Sequence, residues 1–166
     1  MKSVLILDDD ENLAKSLADE FTDHGYNPTI AYGLADIDET PFNYAVVDIR
    51  LAAEFGLDAI DLIKEHSPSC RIVILTGYGS VATAVEAVKR GAVDYLMKPA
   101  GFPLIEASLL GKKQFDNKTL HPPTLSQAEH EYIDFVLTKN DGNISRAAKA
   151  LGIHRQSLQR KLKKYT

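Results

Sequence analysis

Three aspartates, a threonine and a lysine hold equivalent places in this 166-residue chain, each just beyond a short apolar run. Val4-Leu5-Ile6-Leu7 leads into Asp8-Asp9, Tyr44-Ala45-Val46-Val47 into Asp48, and Ile72-Val73-Ile74-Leu75 into Thr76. Val93-Asp94-Tyr95-Leu96-Met97 leads into Lys98-Pro99, and only the run from Asn27 to Ala31 ends without such a residue. If the runs are strands of one parallel sheet, their carboxyl ends share an edge. Ligands of open α/β sheets bind at that edge, where strand order reverses. Carboxylates there suit a hard, oxygen-seeking cation such as Mg²⁺, which offsets charge on a transferring phosphoryl group. An aspartate can also be the nucleophile and form an acyl phosphate. Lys98 could pair with phosphoryl oxygens, Thr76 could donate to one, and Gly77 leaves the backbone open to approach. A lone Asp after a strand is usually a helix cap, the role expected of Asp10. Asp8, Asp9, Asp48, Thr76 and Lys98 together, at successive strand ends, predict a phosphoryl site.

The elements that must position these residues follow from periodicity. Leu13, Leu17 and Phe21 fall at i, i+4, i+8, a helical face, closed by Gly25. Pro28 marks the next run as an edge strand. Residues 33–39 predict a short helix, Ala59, Ile60 and Ile63 a longer one ending at Ser67-Pro68, and Val81, Val85 and Val88 another ending at Gly91. A last helix is predicted over Pro103–Gly111. Five strands alternating with five helices predict an α/β domain with a parallel sheet covered on both faces. The flavodoxin-like order 2-1-3-4-5 makes strands one and three neighbours at the switch point, bringing Asp8, Asp9 and Asp48 together.

Composition is that of an ordinary globular protein, 45% hydrophobic and 25% charged. The single cysteine, Cys70, excludes an intramolecular disulfide and disfavours a cysteine-based zinc site. No apolar stretch approaches the ~20 residues of a membrane span, and the chain opens on a strand rather than a signal peptide. These features predict a cytoplasmic protein with no membrane partner. Charge is divided unevenly: residues 1–123 carry −8 and residues 124–166 carry +4. Seven basic residues and no acidic one lie between Asn143 and Thr166. That polarity predicts two domains with different partners: 1–112, a linker 113–125 containing the stiff His121-Pro122-Pro123, and 126–166.

In the second domain, Ile133, Val136 and Leu137 predict a helix over 128–139, stopped by Asn140-Asp141-Gly142. Asn143 or Ser145 can cap a helix to Leu151, Gly152 turns the chain, and a third helix runs from His154 to Lys164. The small Ala148, the turn at Gly152, and apolar Ile153, Leu158 and Leu162 have helix-turn-helix spacing. Left outward are His154, Arg155, Gln156, Gln159, Arg160, Lys161, Lys163 and Lys164. The first of these would point at base edges and the later ones at phosphates. A solvated basic helix or a protein-docking face would also be charged, but the turn spacing and the missing acids favour double-stranded DNA.

Leu7-Asp8-Asp9-Asp10, Val47-Asp48-Ile49-Arg50-Leu51, Ile74-Leu75-Thr76-Gly77-Tyr78-Gly79 and Asp94-Tyr95-Leu96-Met97-Lys98-Pro99 resemble the receiver domain of two-component response regulators. The resemblance implies a CheY-like fold and phosphorylation of Asp48 by a sensor histidine kinase. It implies Mg²⁺ held by Asp9, Asp48 and the Arg50 carbonyl, with Asp8 acting through water. Thr76 and Tyr95 would be switch residues and Lys98 the phosphate contact, with a cis Lys98–Pro99 peptide. Ala52 stands where the family commonly has proline, a departure in the loop rather than in the chemistry. Tyr78 could shield the acyl phosphate from water. Gly142 to Tyr165 resembles the DNA-binding region of the factor for inversion stimulation. That match implies Arg155 as base reader beside His154 and Ser157, Asn143, Arg160 and Lys161 on the backbone, and 128–139 as the dimerisation element. His154 replaces an asparagine of that family, so base preference there does not carry over.

Across nearly its whole length the chain resembles the RegA/PrrA/ActR group of short response regulators. This implies a regulator of transcription that is homodimeric when active and catalyses only its own phosphorylation and dephosphorylation. The redox role of that group is not carried over, since Cys70 alone is no sensor signature. Two alternatives stand beside this reading. One is a phosphorelay intermediate whose tail docks a protein. The other is an aspartate-nucleophile phosphatase suggested by Asp8-Asp9-Asp10, although Asn12 occupies a position where that family has Thr or Val.

Overall fold

The computed structural model describes residues 1–52, 54–77, 81–112 and 124–164. It divides into two compact units, Met1–Thr76 with Ala87–Lys113 and Gly77–Glu86 with Gln114–Thr166. The expected linker residues 113–123 and Tyr78 lie outside the described residues.

The first unit is built on a five-stranded sheet of β1 (Lys2–Leu7), β2 (Tyr26–Ala31), β3 (Tyr44–Val47), β4 (Arg71–Thr76) and β5 (Ala92–Met97). All strands are parallel, in the order β2-β1-β3-β4-β5. Pro28, which has no N–H to give a ladder, is tolerated because β2 is an edge strand. Side chains alternate across the sheet. Val4 and Ile6 pack with Leu17 and Phe21 of α1 (Glu11–Asp23) and Phe102 and Ile105 of α4 (Phe102–Leu109). Leu5 and Leu7 pack on the other face with Leu57, Ile60 and Ile63 of α2 (Leu57–His66) and Ala87 of α3 (Val81–Arg90). Both faces are covered, as continuous apolar strands of a parallel sheet require.

One expectation changes here. Residues 33–39 hold a single 3-10 turn, Leu34–Asp36, rather than a helix. The Asp36 carboxylate accepts from the Tyr32 and Gly33 N–H groups and Glu54 accepts from Leu34 N–H, so the turn is held from its start by carboxylates. The face of α3 carrying Val81, Val85 and Val88 is outward, at 72%, 48% and 57% exposed. Thr83 and Ala87 are buried instead.

The second unit contains α5 (Leu125–Lys139), α6 (Ile144–Leu151) and α7 (Arg155–Lys164). Ile133, Val136 and Leu137 of α5 meet Ala147 and Ala148 of α6 and Leu158 of α7 in one core, with Ile153 and Leu162 at its margin. α5 starts at Leu125, earlier than 128, because Thr124 and Gln127 form a reciprocal capping box. Asn143 caps α6 through its side-chain oxygen, which accepts from Arg146 N–H. Gly152 ends α6 in the left-handed region at φ 69°, a conformation that glycine adopts without strain. Among the described residues, no helix is long and apolar enough to cross a membrane.

Candidate phosphoryl site and nucleic-acid interface

Register places the strand-end residues. Leu7 pairs with Val47 across β1 and β3, and Asp48 N–H donates to Leu7 O at 2.8 Å, so Asp8 and Asp48 emerge side by side. Thr76 pairs with Met97 across β4 and β5, and Lys98 N–H donates to Thr76 O at 2.8 Å. The Lys98–Pro99 peptide is cis, as expected.

The Lys98 ammonium donates to Asp8 Oδ2 at 2.6 Å and to Asp48 Oδ2 at 2.8 Å. The remaining oxygens are held by backbone: Asp10 N–H donates to Asp8 Oδ1 at 2.9 Å and Arg50 N–H to Asp48 Oδ1 at 3.0 Å. Asp8 and Asp48 are buried and Asp9 is exposed, with one oxygen from each within 4.8 Å of the others. Three convergent carboxylates form an all-oxygen donor set, which fits a hard divalent cation. Burial pushes the Asp8 carboxyl above its ordinary range, and the Lys98 hydrogen bond only partly opposes it. Burial also works against charge on Lys98, but Asp48 and Asp8 outweigh it and hold the ammonium above its usual pKa. The cleft thus keeps a cation in place between two acids.

Thr76 is wholly buried, and among the described residues its hydroxyl has no hydrogen-bond partner. A buried unsatisfied hydroxyl costs about 1–3 kcal/mol, a cost that an acceptor within its reach would remove. Tyr95 is half-buried against the α2–α3 face of the core. The loop after Asp48 folds back through a bridge between Arg50 and Phe55 and a bond from Gly56 N–H to Ile49 O at 2.7 Å. Asp10 is the expected cap, accepting from Asn12 and Leu13 N–H.

On the helical unit, His154, Arg155 and Arg160 are exposed at the start and along the length of α7, and Ser157 is half-buried beneath Arg160, 3.5 Å from its guanidinium. Asn143 is exposed while capping α6. Lys161 is held by Glu129 of α5, an ion pair across 32 residues that no local pattern reveals. The sequence reading also missed His130 and Asp134, a buried pair 3.0 Å apart one turn along α5. Their spacing on one helix face was the available signal.

Residues 4–109 match the response regulator receiver domain, and residues 124–165 match the bacterial regulatory protein Fis family. The chain is 41% identical to the photosynthetic apparatus regulatory protein RegA of Cereibacter sphaeroides, over 98% of this chain and 91% of that one. It is 38% identical to the acid tolerance regulatory protein ActR of Rhizobium meliloti, over 98% and 87%. A crystallised response regulator from Burkholderia pseudomallei, with a phosphorylated aspartic acid, a calcium ion and citrate, is 40% identical. It covers 98% of this chain and 99% of its own at a TM-score of 0.66. The beryllofluoride-activated NtrC4 receiver domain dimer is 35% identical over 68% of this chain and all of its own, at a TM-score of 0.58. A parallel receiver sheet with acids and a lysine at its strand ends, joined to a basic Fis-type helix-turn-helix, points to a regulatory role. The chain belongs to the two-component response regulators and regulates transcription through DNA.

Proposed function

We propose that Asp48 accepts a phosphoryl group from a sensor histidine kinase and that this sets DNA binding by α6 and α7. One carboxylate oxygen of Asp48 attacks phosphorus, the donor's P–N bond breaks, and an acyl phosphate remains on Asp48. Lys98 then turns from the Asp48 carboxylate to the phosphoryl oxygens, keeping its contact with Asp8. Thr76 donates its unused hydroxyl to one of those oxygens, and Tyr95 moves with it as the other switch residue. Asp8, Asp9, Asp48 and the Arg50 carbonyl would hold Mg²⁺, which supplies charge neutralisation at the phosphoryl oxygens when bound. The single observation that carries this reading is the lysine shared by two acids, at a strand end next to that of Thr76, whose hydroxyl is buried and without a partner among the described residues. The phosphorylated aspartic acid of the Burkholderia relative supports it.

In this reading residues 1–112 are the phosphoacceptor domain, 113–125 the linker and 126–166 the DNA-binding domain. Arg155, His154 and Ser157 face bases, and Asn143 and Arg160 face the backbone. Lys161 joins them only where phosphate displaces Glu129. The active form is a homodimer paired through α5, where Tyr132 and Phe135 are exposed apolar rings. The protein works in the cytoplasm, where kinase and DNA are both within reach. Its only catalysis is its own phosphorylation and dephosphorylation.

Intact-mass measurement with a small-molecule phosphodonor and Mg²⁺ should show one added phosphoryl group on the wild type and none on Asp48→Asn. A DNA titration of the full chain with and without beryllofluoride tests the switch. Equal affinity in both states would sink it.

A further inference from the structure

Gln156 is exposed in the first turn of α7, and none of the described residues hydrogen-bonds its carboxamide. Its neighbours in the interface are otherwise engaged: Asn143 caps α6, Lys161 pairs with Glu129, and Arg160 leans on Ser157. At about 100° per residue, buried Leu158 and half-buried Leu162 define the inward side of α7. The opposite stripe carries Gln156, Arg160 and Lys163, with Gln156 at its N-terminal end. With Gln159, these side chains line one shallow concavity. By the same count Arg155 lies nearer the Leu158 and Leu162 side than that stripe, although it is exposed.

We infer that Gln156 is a base-reading residue that selects adenine in the major groove, resting on the reading of α7 as the recognition helix. A neutral side chain on a basic stripe adds little attraction to phosphate, so its contribution lies in discrimination. The carboxamide offers one acceptor and one donor side by side. Adenine presents the matching pair, its N6 amino group donating to Oε1 while Nε2 donates to N7. Guanine presents two acceptors at the same edge and leaves Oε1 without a donor. The N-terminal part of a recognition helix is the part that reaches base edges, while Arg160, one turn on, can hold the backbone and fix the register.

The test is selection from randomised duplex DNA by the full-length, beryllofluoride-treated chain. Wild type should enrich adenine at one position per half-site. Gln156→Ala should lose roughly tenfold to a hundredfold discrimination at that position alone, with little change on non-specific duplex. Gln156→Arg should move the preference there to guanine, a shift that a merely structural residue would not produce. The same selected sequence from wild type and Gln156→Ala would overturn the inference while leaving DNA binding intact. Failure of wild type to enrich any sequence would overturn the DNA reading itself, and this one with it.

Discussion

The chemistry of single residues separates two groups that look alike in a sequence, the reactive and the inert. Asp8 and Asp48 share Lys98 and keep their remaining oxygens on backbone N–H groups, so the acids are fixed before any phosphoryl group arrives. Cys70 is the opposite case. It is fully buried, and burial pushes its thiol up to about 12. A thiolate is the reactive form, so Cys70 should resist thiol reagents near neutral pH and react only on unfolding, as a labelling time course would show. The same shift has a pH signature. The unfolded thiol ionises near 9 while the folded one stays neutral to about 12, so this contribution to stability falls as pH rises through that window. Denaturant titrations should show wild type losing about 1.4 kcal/mol per pH unit more than Cys70→Ala across that range.

At the level of elements, two glycines show how differently the same residue type acts. A Cβ on Gly56 would lie 2.8 Å from Ile49 Cα and against the Asp48 carbonyl, both backbone atoms that cannot give way. Gly56→Ala should therefore displace the loop beneath Asp48 and lower both thermal stability and the rate of phosphorylation. At Gly152 nothing lies within 4 Å of such a Cβ, but φ is 69°. Gly152→Ala should cost only the left-handed penalty of about 1–2 kcal/mol, read as a modest drop in Tm with phosphorylation unchanged. Neither outcome could be predicted from the glycine alone. The α6–α7 turn needs an unusual dihedral, whereas the loop after β3 needs room.

For the whole molecule, the opposed charges of the two chain segments, −8 over residues 1–123 and +4 over residues 124–166, set the terms of DNA binding. Repulsion from the acidic segment and attraction by the basic one are both screened by salt. Affinity should fall steeply with salt concentration, since each phosphate contact adds about 0.9 to the logarithmic slope. Arg160→Ala should reduce that slope by about 1 per protomer and leave sequence preference unaltered, the reverse of the effect expected for Gln156→Ala. A titration series across salt concentrations separates the two. A symmetric dimer also predicts half-sites about one helical turn apart.

Much of this protein could be read from local pattern. Apolar runs ending in Asp8-Asp9, Asp48, Thr76 and Lys98 mark strands whose ends must meet if the sheet is parallel, and strand order then follows from the alternation with helices. Caps and turns at Asp10, Asn143 and Gly152 are also local, because their chemistry lies within one turn of the residue that supplies it. What depended on distant parts of the chain was out of reach. Periodicity gives α3 an apolar stripe, but the side turned inward belongs to Thr83 and Ala87, because packing chooses a helix's buried face. Carboxylates of Asp36 and Glu54 hold the 33–39 segment to one 3-10 turn. Pairing of Lys161 with Glu129, and of Lys98 with Asp8 and Asp48, spans 32 to 90 residues and exists only once the backbone is folded. Residue types and their spacing named the chemistry. Which charges neutralise one another, and which hydroxyl is left waiting for an acceptor, followed from long-range packing that brings separate strand ends and helices within hydrogen-bonding distance.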